Sequence, residues 1–177
     1  MSGGLYIGGD TSGSVLLVPN AVAGSTTITI APQSGTLNVA GPSFSAYPSA
    51  SYFAVANSTN TKVPYNTEDW DTASCFDTSL YRFTPNVAGY YQVNAALFIN
   101  PPAGATSGYI LLLYKNGGEY KLLDRDQFEI YFNQLASGSA IVYLNGTTDY
   151  IEIYIWQNSG GSLNFGYNGS EIGRAHV

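Results

Sequence analysis

From residue 150 to residue 156 the chain alternates without a break. Ile151, Ile153 and Ile155 fall on one side, and Tyr150, Glu152, Tyr154 and Trp156 on the other. A period of two marks a strand with one face in a core. No stretch shows convincing helical periodicity. Residues 124–135 place Phe128, Tyr131, Phe132 and Leu135 at helical spacing, but they are β-prone and flanked by turn formers, and are read as strand or irregular. Asn116-Gly117 separates the apolar runs 109–114 and 120–123, and Asn145-Gly146 separates 139–144 from 150–156. Asn-Gly is the strongest short-range hairpin signal, because both turn positions favour positive φ. Strand candidates at short intervals between turn signals predict an all-β sandwich or barrel.

Composition agrees with a sheet protein rich in turns. Charged residues are 10 % of the 177, against about 25 % in ordinary soluble domains. Apolar residues reach 45 %, with 15 Tyr, so the chain has the material for a core. The net charge of -6 excludes attraction to nucleic acid or to an anionic membrane surface. No apolar run approaches the roughly 18 residues of a membrane-spanning helix. The start, Met-Ser-Gly-Gly-Leu-Tyr, lacks the basic and apolar regions of a signal peptide, so export by that route is not expected. The single Cys75 allows no internal disulfide and is read as a buried thiol.

Three regions follow from the changes in style. Residues 1–41 hold no Lys, Arg or His and one aromatic residue, Tyr6. Their short β-branched runs (14–19, 26–30 and 35–39) predict a β-rich connector that must pair with the next domain or with copies of itself. Residues 42–170 form the main domain. The last seven, 171–177, read as one translated frame of a short-read sequencing adapter. The natural sequence is therefore expected to stop near Ser170, and His176, the only histidine, carries no functional argument.

The main domain resembles the globular head of complement component 1q and its tumour-necrosis-factor relatives. The matching pieces come in order: Phe44-Ser45-Ala46; Val63-Pro64-Tyr65-Asn66-Thr67-Glu68; Tyr81-Arg82-Phe83-Thr84-Pro85-Asn86-Val87-Ala88-Gly89-Tyr90-Tyr91-Gln92-Val93; Leu113-Tyr114-Lys115-Asn116-Gly117; Ser137-Gly138-Ser139; and Leu144-Asn145-Gly146-Thr147-Thr148-Asp149-Tyr150-Ile151. The third piece is close to the family's Phe-x-Pro-x-x-x-Gly-Tyr-Tyr signature. The resemblance implies a jelly-roll β-sandwich that packs as a homotrimer around a threefold axis. It also implies a final strand, which the adapter reading would truncate. Within the signature, Pro85 presets φ in the loop and Gly89 suits a turn into the strand. Tyr91, Val93, Ala95 and Leu97 alternate onto one core face. Tyr91, Tyr154 and Trp156 are candidates for the trimer interface, where aromatic residues with a polar tip are favoured. The segment 13–30 is similar to connectors of bacteriophage tail fibres and other virion proteins.

Catalysis finds little support. Nucleophilic hydrolysis needs Ser or Cys beside a base, and a zinc site needs several His or Cys; neither set is present. Phosphate-cradling glycine motifs are absent, so no organic cofactor is expected. Asp69 and Asp71, with Asp124 and Asp126, are calcium candidates, the alternative being solvated turns. Trp70 and Tyr167 are candidate ligand-stacking residues. Together the two resemblances imply a non-enzymatic trimeric virion protein, a tail fibre or similar, whose head binds a host-surface glycan or protein. Its connector would meet other virion proteins. The alternatives are a purely structural head-fibre, decoration or baseplate protein, and a cellular recognition module related to complement component 1q.

Overall fold

The computed structural model describes residues 5–8, 14–17, 41–50, 52–100, 107–128, 134–166 and 175–176. The chain divides into two compact units, Met1–Leu37 and Asn38–Val177. In the first, β1 (Leu5–Gly8) and β2 (Ser14–Leu17) pair antiparallel, Leu5 opposite Leu17. The runs 26–30 and 35–39 lie outside the described residues.

The second unit is a two-sheet sandwich, and all its described regular elements are strands. They are β3 (Phe44–Tyr47), β4 (Tyr52–Val55), β5 (Thr61–Lys62), β6 (Thr67–Asp71), β7 (Phe76–Asp77), β8 (Arg82–Phe83), β9 (Ala88–Ile99), β10 (Gly108–Lys115), β11 (Gly118–Gln127), β12 (Gln134–Asn145), β13 (Ile151–Gln157), β14 (Leu163–Gly166) and β15 (Ala175–His176). One sheet runs β11-β10-β13-β8-β7, with β5 also paired to β13. In the other, β12 pairs with β9 along all twelve residues. The remaining edge of β9 is taken by β14 at Phe98 and Ile99 and by β15 at Asn94 and Ala95. Beyond them lie β4 and β3, and then β6.

The core sits between the sheets and is built by alternation. Tyr91, Val93, Ala95 and Leu97 of β9 are buried, as the strand period predicts, and meet Leu111, Leu113, Ile151, Ile153 and Ile155 from the opposite sheet. Phe44 stacks between Phe76 and Phe83, with ring centroids 4.4 and 4.8 Å away. Cys75 is buried, and that burial pushes its thiol pKa up, as befits a packing residue.

The two Asn-Gly signals resolve differently. Asn116 and Gly117 both have positive φ, 54° and 79°, and close the β10–β11 hairpin. Asn145-Gly146 does not make the hairpin expected of it, because β12 pairs with β9 and β13 with β10, in different sheets. There the Asn145 Oδ1 accepts the backbone N–H groups of Thr147, Thr148 and Asp149, building a crossing loop. At Gly146 any Cβ would collide with the backbone of Val87 and Ala88. Gly89, expected to need unusual backbone angles, has no positive φ.

Candidate functional site

Two surfaces of the sandwich stand out. The first is a groove of about 540 Å³ at one end of the β11-β10-β13 sheet. Ile110 is opposite Trp156 on one neighbouring strand and Arg125 on the other. Directly opposed residues share a face, so indole, aliphatic chain and guanidinium lie in one row across three strands. Gln127 and Asn158 continue the wall. Asn158 is fixed by its Oδ1, which accepts the Gly108 N–H at 2.8 Å. Gly108 leaves the floor without a side chain, since a Cβ there would run into the Asp126 carbonyl. Ser107, also in the lining, has a buried Oγ with no hydrogen-bond partner among the described residues.

The second surface is the outer face of the β9–β12 pair. Tyr90 is 80 % exposed and meets Tyr143 edge to face at 5.3 Å. Ile141 and Leu135 lie exposed on the same face of β12. Neither strand carries a charged residue. The free edge of β12 is occupied by side chains of the other sheet. Lys115 and Lys121 donate to the carbonyls of Tyr143 and Ile141 at 2.8 and 3.0 Å, and the Asp124 Oδ2 accepts the Ser137 N–H at 3.0 Å.

The residues singled out in the sequence scatter over this frame. Tyr91, read both as a core position and as an interface candidate, is core: its ring packs edge to face on Phe83 and its hydroxyl donates to the Val87 carbonyl at 2.6 Å. Tyr154 lies half-buried, stacked on Tyr114 at 4.0 Å, and Trp156 lines the groove. Trp70 is exposed on β6, while Tyr167 lies outside the described residues. The two Asp pairs are in different sheets. Both oxygens of Asp71 accept backbone N–H groups, from Ala73 and Phe76. Asp69 accepts the Ser45 hydroxyl, and Asp126 the Gln127 N–H. Asp124 accepts the Tyr109 hydroxyl at 3.1 Å as well as Ser137. Burial first, then the charge of Asp124, pushes the Tyr109 phenol well above its usual pKa. Among the described residues no group of three or more His, Cys, Asp and Glu is arranged to hold a metal ion.

Solved structures share this architecture. The Eiger TNF of S. frugiperda superposes with a TM-score of 0.54 over 78 % of this chain and 92 % of its own, at 12 % identity. The fold is a tumour-necrosis-factor-like jelly roll. The globular domain of zebrafish complement 1qA (TM-score 0.48, 16 % identity, 77 % of this chain and 92 % of that one) and murine APRIL (0.46, 13 %, 73 % and 100 %) are similar as well. No protein-family model matches the chain, and no curated protein does.

On this jelly roll the groove escaped sequence reasoning because Ile110, Arg125 and Trp156 meet only through strand register. Trp156 was visible as an aromatic on the face away from the core. Nothing local marked Arg125.

Proposed function

We propose that the chain is the head of a homotrimeric virion fibre that acts by binding a host-surface molecule and not by catalysis. The observation that carries the trimer is the charge-free outer face of β9 and β12, with Tyr90, Tyr143, Ile141 and Leu135 exposed on it. On a chain of net charge -6, copies that meet through this face bring no like charges together. Tyr90, Tyr143 and Ile141 adjoin one another there, and exposed apolar patches mark interaction sites. A jelly-roll head on a β-rich connector supports the fibre reading, as does the similarity of residues 13–30 to fibre connectors.

The test is the mass of the full chain in dilute solution by light scattering, with and without a calcium chelator. A mass of three chains in both conditions is the expected result. A folded monomer would remove the support for a fibre head. A trimer that dissociates with chelator would assign the Asp carboxylates to a metal.

A further inference from the structure

We infer that the groove at Ile110, Arg125 and Trp156 holds an acidic saccharide, its carboxylate on Arg125 and its ring on Trp156. This deepens the binding role proposed above and rests on it.

The charge inventory points to Arg125. The sequence has six Lys and Arg, of which Arg174 lies outside the described residues. Lys62 is paired with Glu152 and Lys115 with Asp149. Lys121 is bound to the Ile141 carbonyl, and Arg82 lies over the Tyr150 ring at 4.7 Å. Among the described residues only the Arg125 guanidinium has no hydrogen bond, ion pair or ring contact. In a chain this poor in cations, the one without a partner among the described residues lines the groove. A guanidinium offers a planar fork that matches a carboxylate with two parallel N–H bonds.

The rest of the lining suits a sugar. Trp156 and Ile110 give an apolar strip beside Arg125, against which the C–H face of a pyranose can pack. Gln127 and Asn158 add amide groups to the wall, suited to hydrogen bonds with hydroxyls. The volume of about 540 Å³ falls in the range of small-ligand sites, roughly 300–1,000 Å³. Asp126 also lines the groove, but it is opposite the buried Tyr109, so its side chain alternates away from the Arg125 row.

The chain has two tryptophans, Trp70 and Trp156, so a Trp70→Phe full chain makes Trp156 the sole indole reporter. It would be titrated with a glucuronic-acid-containing tetrasaccharide and with the same sugar after carboxyl reduction. The inference expects a saturable change in emission with the acidic form and at least tenfold weaker binding of the reduced form. Arg125→Ala should lose at least tenfold in affinity for the acidic form and none for the reduced one. Arg125→Lys should lie between. Equal binding of both forms, or affinity unchanged in Arg125→Ala, would overturn it, as would no response to the acidic sugar. The oligomeric mass is read on the same samples. An intact trimer with a silent groove fails this inference alone, whereas a monomer fails the fibre-head reading.

Discussion

Lys62 reaches from β5 to the carboxylate of Glu152 on β13, Nζ and Oε1 2.5 Å apart, although ninety positions separate them in the chain. Glu152 is 6 % exposed and stands on the strand face opposite the isoleucines. Its burial is tolerated because Lys62, itself 29 % exposed in its side chain, supplies the countercharge. Lys62→Met should therefore destabilise by about 2–3 kcal/mol, below the 3–5 of a fully enclosed pair. Urea denaturation of Lys62→Met, Glu152→Gln and the double variant would check this. The double variant should recover much of the loss, and independent, additive effects would contradict the pairing.

Gln157 closes the end of the same strand and is 0 % exposed. Its Nε2 donates to the Val55 and Gly161 carbonyls at 3.0 and 2.7 Å, while its Oε1 accepts the Ser159 N–H at 2.6 Å. Gln157→Leu would bury a side chain of similar size and strand these groups, at about 3 kcal/mol. Thermal melts should show this as a clear drop in Tm, and a melt within a degree of wild type would argue against it.

Acid should weaken the fold through Asp149. Hydrogen bonds from Asn116 and Lys115 hold its pKa below the usual carboxylate value. A depressed carboxylate stabilises the folded state above its unfolded pKa of about 3.9, and that contribution fades as pH falls through the lower folded value. Asp77 acts in the same sense, held down by Ser79 and the Leu80 N–H. Glu68 acts in the opposite sense: burial, then Asp71, raises its pKa, so it favours the fold less as pH climbs past the unfolded value. Denaturation midpoints measured from pH 6 to pH 2.5 should fall, and Asp149→Asn should fall less steeply over that range.

The neutral face of β9 and β12 gives a sharper test of assembly. Tyr90→Glu or Ile141→Glu adds a like charge to every copy at that face without touching the core. Sedimentation should show dissociation at micromolar concentration with an unchanged circular dichroism spectrum. A trimer that survives both substitutions would move the interface elsewhere.

Gly138 sets how closely the two sheets approach at their shared side. It is opposite Ala95, and a Cβ there would run into the Leu123 backbone. Gly138→Ala should cost about 2 kcal/mol or more, since backbone and not a flexible side chain must yield. Chemical denaturation at neutral pH would measure it.

The strands were legible wherever one face is buried, because period two is written locally: 91, 93, 95 and 97, or 151, 153 and 155. Asn116-Gly117 was legible because its turn is local too. Asn145-Gly146 was misleading, since a dipeptide signals a reversal but cannot say whether the next strand returns to the same sheet. Tyr91 carried two readings, core by its period and interface by its residue type, and the period was the better guide, because residue type does not tell a phenol that reaches an internal carbonyl from one that faces a neighbour. The groove row was invisible, as it is assembled from three strands by register alone.

The side chains along β12 have a further consequence. Lys115, Lys121 and Asp124 already occupy backbone groups with which another strand would have to pair. A second copy arriving there finds fewer free donors and acceptors, so strand pairing across the β12 edge is disfavoured. Copies crowded side by side are left to join through their faces, and contacts of that kind can close on themselves and stop.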